Sequence, residues 1–251
     1  MPRYKLTITY DGTPFVGWQK QTRGTSVQGC IEAAILSFCG EETLVYGSGR
    51  TDAGVHATGQ IAHVDLTLEH LSIKPLPYKI RQAINFYLDE APIRVLAVEE
   101  VDEMFHARFS ALQRIYRYRI FNRPVSCPFE EKRAWWVKRK LNVGAMREAS
   151  QHLIGTHDFN AFRSVKCNAS HALRTVDFIT IQDHGNNIEV DVGARSFLHN
   201  QVRITVGTLK MVGMEQWSPS KVREVLDAKD RITSGPTAPA WGLYFKEIIY
   251  P

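Results

Sequence analysis

Residues 4 to 10, Tyr-Lys-Leu-Thr-Ile-Thr-Tyr, alternate apolar and polar side chains with a period of two. Tyr4, Leu6, Ile8 and Tyr10 therefore share one face, and Asp11-Gly12 ends a predicted β-strand. Thr25-x-x-Gln28 has capping-box spacing, and Val27, Ile31, Ala34, Ile35 and Phe38 follow at helical intervals until Gly40, which predicts a helix. Strand-like runs at 60–66 and 93–99 flank a second helical pattern, Ile80, Ile84, Tyr87 and Leu88, entered through Pro75 and Pro77. A similar alternation recurs: strand 114–121, helix 142–154, strands 173–182 and 187–193, helices 198–213 and 219–228, and a closing strand 242–249.

The pattern predicts two related α+β halves, 1–105 and 106–251, joined near Val101 to Phe105. The repeat is one of element order, not of sequence. At 251 residues, one elaborate domain and two ordinary ones are both open. The expected architecture has mostly antiparallel sheets forming a shared extended sheet, helices on one face and a catalytic cleft between the halves.

Hydrophobic residues at 44% and charged residues at 23% fit a globular chain. No apolar run approaches the ~20 residues that span a bilayer, and Met1-Pro2-Arg3-Tyr4-Lys5 is no signal-peptide start, so a cytoplasmic protein is expected. Cys30, Cys39, Cys127 and Cys167 make no CxxC pair, which argues against a zinc site or a disulfide framework. None of the nine histidines has HExxH or His/Cys spacing, so no metal is expected.

A net charge of +5 and a pI near 9.0 point weakly to an anionic partner. The distribution says more. Between His106 and Lys140, ten Lys or Arg stand against Glu130 and Glu131 alone, an excess able to line a phosphate-binding face.

Residues 45–60, Val-Tyr-Gly-Ser-Gly-Arg-Thr-Asp-Ala-Gly-Val-His-Ala-Thr-Gly-Gln, hold four glycines, which mark close backbone approach or unusual torsion angles. Gly47-x-Gly49 lacks a third glycine three residues on, and no Gly-Lys-Ser/Thr follows, so both nucleotide-binding fingerprints fail. Taken alone, the segment reads sooner as a tight loop in which Asp52 caps a turn and Arg50 is a solvated charge; the wider sequence reverses that.

Gly49-Arg50-Thr51-Asp52-Ala53-Gly54-Val55-His56-Ala57 resembles the signature of the tRNA pseudouridine synthase A (TruA) family. Other segments similar to that family follow in order: Tyr10-Asp11-Gly12-Thr13-x-Phe15-x-Gly17-Trp18-Gln19, Phe105 to Ala111, Arg117-Tyr118-Arg119, Gly155 to Arg163, Ser196 to Arg203, and Pro236 to Leu243. The resemblance implies an enzyme that converts uridine to pseudouridine in the anticodon stem-loop of tRNA, at positions 38, 39 and 40, through an Asp nucleophile and base flipping. It also implies a homodimer, and it calls for no cofactor. Uracil is cut from ribose at N1, turned, and rejoined through C5, with no redox change and no added group.

On that resemblance Asp52 is the nucleophile. A carboxylate can attack or stabilise positive charge developing at the sugar carbon, as glycosidase carboxylates do. Arg203 is the guanidinium that would hold Asp52 ionised and directed. By periodicity alone Arg203 lies beside the apolar stripe Leu198, Val202, Val206 and Leu209, where any core carboxylate could be its partner. Tyr116, with Tyr118 on one face of a strand whose other face carries Arg117 and Arg119, would stack on the flipped uracil or relay a proton; otherwise it is a half-buried sheet tyrosine. Arg50 and Arg108 would contact RNA phosphates or fill the vacated stack, and Lys20, Arg114 and the run 132–140 are weaker candidates. His56, His106 and His157, inside family-like segments, either shape the site or are structural.

Two features depart from the family pattern: Asn200-Gln201 before Val202-Arg203, and about six extra residues around His70 to Lys79. A non-catalytic stem-loop RNA-binding module is the main rival reading. A glycosidase-like enzyme lacks a second carboxylate in any motif.

Overall fold

The structure is a computed structural model that describes residues 1–68 and 75–251. Residues 70–74, half of the extra stretch expected at His70 to Lys79, lie outside the described residues.

Along the chain the elements are β1 (Arg3–Tyr10), α1 (Val27–Cys39), β2 (Tyr46–Gly47), β3 (His56–Asp65), α2 (Pro77–Leu88), β4 (Ile93–Val101), β5 (Gln113–Asn122), β6 (Trp135–Val137), α3 (Val143–Ser150), β7 (Gly155–Asp158), β8 (Leu173–Asp183), β9 (Asn187–Ala194), α4 (Gln201–Gly213), α5 (Lys221–Ala228) and β10 (Leu243–Ile249). The class is α+β with mostly antiparallel strands, as expected. The chain forms two compact units, residues 1–112 with 245–251, and residues 113–244.

In the first unit the strand order is β4-β1-β3-β10, with β2 on β3. The alternation of β1 is realised: Tyr4, Leu6, Ile8 and Tyr10 are buried, and the intervening side chains are partly exposed. Helices α1 and α2 pack together, α2 also against β4, burying Val27, Ile31 and Ile35 of one and Ile80, Ile84 and Leu88 of the other. The start of α1 is one residue later than the Thr25-x-x-Gln28 spacing predicts. Ser26 is the cap, its Oγ accepting from the Gly29 N–H at 3.1 Å, while Gln28 turns away to accept from the Lys20 N–H and to donate to Glu32.

In the second unit the order is β5-β9-β8-β7, with β6 parallel to β5. Helix α4 is buried through Val202, Ile204, Val206, Leu209 and Val212 and packs on α3. It starts at Gln201 because Asn200 takes a left-handed conformation, φ 64°, that interrupts the helical run expected from 198. Two contacts with glycine replace side chains by backbone. A Cβ on Gly207 would fall 1.7 Å from the Pro236 carbonyl oxygen, and one on Gly235 2.6 Å from Thr208 Cα, so the 235–239 loop lies directly on α4.

Candidate active site

In the first unit, Asp52 lies in a loop fixed by the segment that follows β1. The Trp18 N–H donates to the Thr51 carbonyl at 3.1 Å, and Gly17 and Asp52 form an isolated antiparallel bridge. The carbonyls of Gly17 and Trp18 in turn accept from the N–H groups of Val27 and Gln28, the first two residues of α1. Helix start, Gly17-Trp18 and the Thr51-Asp52 peptide thus form one hydrogen-bonded stack. It closes only because Gly17 has no side chain: its φ is +118°, and a Cβ would lie 2.6 Å from the Thr51 oxygen.

Beneath the loop, Tyr10 Oη and Thr51 Oγ1 are 2.8 Å apart in the core, and burial raises the Tyr10 pKa, keeping the phenol neutral. The Val55 N–H bonds the Asp52 carbonyl, closing a four-residue turn whose third residue, Gly54, has φ +76°. Gly12 touches Val55: a Cβ there would meet the Val55 oxygen at 2.0 Å. His56 Nδ1 is 3.0 Å from the Gly12 N–H and 3.1 Å from Asp11 Oδ1; an Nδ1 without a proton accepts from the first, and one carrying a proton donates to the second. Ser48 Oγ lies 2.6 Å from Gln60 Oε1, and Gln60 Nε2 donates to the Gly49 carbonyl, bracing the near side. On this scaffold Asp52 is half-buried and Arg50 exposed.

Also in the first unit, Arg108 is exposed, its guanidinium 5.5 Å from the Phe109 ring centre. Nearby His63 is buried, and desolvation, with the His106 and Arg3 charges, pushes its pKa down to about 4. It is therefore a neutral acceptor, and its Nδ1 takes the Ala107 N–H at 3.2 Å.

In the second unit, Tyr116 on β5 is partly exposed and meets Phe197 edge-on, with ring centres 5.2 Å apart. Tyr118 on the same face is buried; its hydroxyl donates to the Pro239 carbonyl at 2.8 Å, and burial raises its pKa well above the ordinary tyrosine value, with Arg203 opposing. Arg203 on α4 donates through Nε to the neighbouring carbonyl, Ala238, at 2.7 Å and through Nη1 to Asn200 Oδ1 at 2.9 Å. Consecutive carbonyls of one loop thus anchor the β5 tyrosine and the α4 arginine. Asn200, a departure from the family pattern, is itself a partner of Arg203.

The cationic run is partly spent on the sheet. Arg117 pairs with Asp191 at 2.7 Å and with Glu189 at 2.7 Å, and Arg119 with Glu130 at 3.1 Å, which removes two of the ten cations from the anion-binding face expected over 106–140. Glu189 and Asp191, the acids that take up Arg117, sit on β9, distant in sequence, so a count confined to that run overlooks them; Glu130 lies within it. Two shallow depressions of about 470 and 540 Å³, one at Pro128 and Phe129 and one at Lys140 and Asn142, include neither Tyr116 nor Arg203. Among the described residues no group of three or more His, Cys, Asp or Glu is placed to hold a metal ion, and no helix is long and apolar enough to cross a membrane.

The motif spacing did not disclose Tyr10, Gly12, Gly17 and Gln60 as supports of the Asp52 loop, nor Ala238 and Pro239 as anchors. The signals available were membership of flagged segments: Tyr10, Gly12 and Gly17 fall in the Tyr10-to-Gln19 segment, Gln60 ends the 45–60 segment, and Ala238 and Pro239 fall in the Pro236-to-Leu243 segment.

A family model described as tRNA pseudouridine synthase matches residues 6–110 and 149–251; Asp52, Arg50, Arg108 and Arg203 fall inside those stretches and Tyr116 between them. The chain is similar over its whole length to tRNA pseudouridine synthase A of Allorhizobium ampelinum, 51% identical over 253 residues and 96% of that protein, and of Parvibaculum lavamentivorans, 50% identical over 250 residues and all of that protein. The counterpart in Paramagnetospirillum magneticum is 48% identical over 250 residues, all of this chain and 96% of that protein. A chain in the crystal structure of a Cbf5-Nop10-Gar1 complex aligns with TM-score 0.34 and 12% identity over 82% of this chain and 45% of that one, too distant to bear on the fold.

Proposed function

The chain belongs to the tRNA pseudouridine synthase family, and from that membership we propose that it isomerises uridine to pseudouridine at positions 38, 39 and 40 of the tRNA anticodon stem-loop. The observation that carries the reading is the Asp52 loop: a half-buried carboxylate on a backbone tied to β1 and α1, inside a matched family segment.

The enzyme is an isomerase. The N1–C1′ bond of uridine breaks, the uracil turns, C5 bonds to C1′, and the C5 proton is lost as N1 gains one, so atoms and charge balance without an added group. Asp52 is the nucleophile at C1′, or the anion that stabilises positive charge there. Arg203, preset by Ala238 and Asn200, directs that carboxylate, and Tyr116, its ring backed by Phe197, stacks on the flipped uracil and relays a proton. Arg50 and Arg108 offset the few kcal/mol of base extrusion by holding phosphates or filling the vacated stack. The working form is a cytoplasmic homodimer; light scattering that finds one species near 28.5 kDa contradicts the dimer.

The test is pseudouridine formation on a tRNA transcript. Asp52→Asn should abolish it while leaving tRNA affinity within a few fold; retained turnover removes Asp52 from its role. Arg203→Lys should damage rate more than binding because a guanidinium fork is lost. Purified protein that retains tRNA on a filter but makes no pseudouridine is a binding module instead.

A further inference from the structure

The segment Phe105 to Ser110 connects β4 to β5 without regular structure, yet side chains from elsewhere in the first unit hold its backbone. Arg3 grips Asp65 through Nε and Nη2 at 2.7 Å each, and its Nη1 donates to the carbonyls of Glu103 at 2.6 Å and Phe105 at 2.8 Å. Ala107 is fully buried, and both of its backbone polar groups have side-chain partners: its N–H goes to His63 Nδ1 at 3.2 Å, and its carbonyl accepts from the Tyr250 hydroxyl at 2.6 Å. His106 Nδ1 accepts the next two N–H groups, of Arg108 at 3.1 Å and Phe109 at 3.3 Å.

The rings that supply these acceptors and donors are themselves packed. His63 and His106 have centres 4.6 Å apart, His106 and Phe109 4.4 Å, and Tyr250 lies 5.0 Å from Phe105. The result is an exposed arginine over an aromatic ring that is 72% exposed, carried on a backbone held by side-chain hydrogen bonds. An ordinary surface connection satisfies its peptide groups with water; this one satisfies several with side chains and buries those of Ala107, next to Arg108. Fixing the backbone before binding removes an ordering cost that a mobile loop would bear each time it met its ligand.

We infer that Tyr250 and His63 are positioning residues for tRNA binding: by holding both backbone groups of Ala107, they set the direction in which Arg108 meets the RNA. The inference rests on the reading that Arg108 contacts tRNA, and it assigns neither residue to the chemistry.

Tyr250→Phe is the decisive variant, because it keeps the ring against Phe105 and removes only the hydroxyl. The loss of one such hydrogen bond is expected to raise Kd and KM for a tRNA transcript by about three- to tenfold, with kcat changed less than twofold. Arg108→Ala should raise Kd further, and adding Tyr250→Phe to it should change nothing more, since the hydroxyl acts through Arg108. Equal effects of Tyr250→Phe in both backgrounds overturn the inference, as does an unchanged Kd for Tyr250→Phe alone beside a weakened Arg108→Ala. An Arg108→Ala protein that binds as tightly as the parent instead removes the underlying reading of Arg108. His63→Asn, which retains an acceptor near the place of Nδ1, should cost less affinity than His63→Ala; the reverse order contradicts the clamp.

Discussion

Replacing Gly17 by alanine tests whether the segment after β1 sets the position of Asp52. At φ +118° an L side chain is strained by about 1–3 kcal/mol. The new methyl would also lie 2.6 Å from the Thr51 oxygen, 3.3 Å from the Asp52 carbonyl carbon and 3.4 Å from the Ala53 nitrogen, all backbone atoms that cannot swing aside. Overpacking of that kind costs about 1–3 kcal/mol more. Together the two come to about 2–6 kcal/mol, a large share of an ordinary domain's stability. The strain is relieved only by pushing the Thr51-Asp52 peptide away from Trp18, and a displacement approaching 1 Å costs about a hundredfold in rate. The urea midpoint and the single-turnover rate of pseudouridine formation should therefore both fall in Gly17→Ala, with Tm down by about 4–24 °C. Gly40→Ala is the control: Gly40 also has positive φ, +69°, but no atom lies within 4 Å of its Cβ position, so that variant should lose about 1 kcal/mol and keep its turnover. A Gly17→Ala enzyme with parental stability and rate refutes the account of the loop.

Three further outcomes are expected. His63 stays neutral in the folded chain down to about pH 4, whereas the unfolded imidazole takes up its proton near ~6.5; the folded state binds fewer protons in that window, so stability is complete above it and is lost as pH falls through it. Urea midpoints at pH 7, 5.5 and 4.5 read the slope, and His63→Asn should flatten it. Tyr118→Phe removes the donor to the Pro239 carbonyl and should lower unfolding free energy by about 1–2 kcal/mol; an unchanged urea midpoint argues that the bond contributes nothing. Gly207→Ala improves helix propensity by about 1 kcal/mol but sets a methyl 1.7 Å from the Pro236 oxygen, so it should destabilise the protein and loosen Arg203 through Ala238; a more stable variant shows that the loop can move away at no cost.

Where a segment carries its own period, the chain could be read directly. The alternation of Tyr4 to Tyr10 became β1, the apolar spacing from Val27 to Ile35 became α1, and Pro77 entered α2 at its first residue. Short elements escaped because two to four residues cannot show a period: β2, β6 and β7 exist only through their pairing with β3, β5 and β8. The start of α4 was misread because its left-handed breaker is Asn200, a residue that resembles a cap more than an interruption. Charge was misread for a different reason. The carboxylates that take up Arg117 lie more than seventy residues further on, and only the register of β5 against β9 brings them into range.

The glycines of the Asp52 segment look at first like a phosphate cradle, and the geometry gives them another purpose. Gly54 supplies the turn, but the glycines that matter most for the carboxylate lie outside that segment: Gly12 and Gly17 let a second stretch of backbone pass within hydrogen-bonding distance of residues 51 to 55. The same device recurs in the second unit, where Gly207 and Gly235 let the loop bearing Ala238 and Pro239 lie on α4 and reach Arg203. In both places a motif residue able to do chemistry is held by backbone from a different motif, so each motif presupposes the other. A side chain that shapes a loop tolerates substitution by a similar one, but a glycine required by a carbonyl 2–3 Å away tolerates none. The expected mutational signature is therefore loss of rate at Gly12, Gly17 and Gly207 as severe as at Arg50 and Arg108, the arginines proposed to meet the RNA.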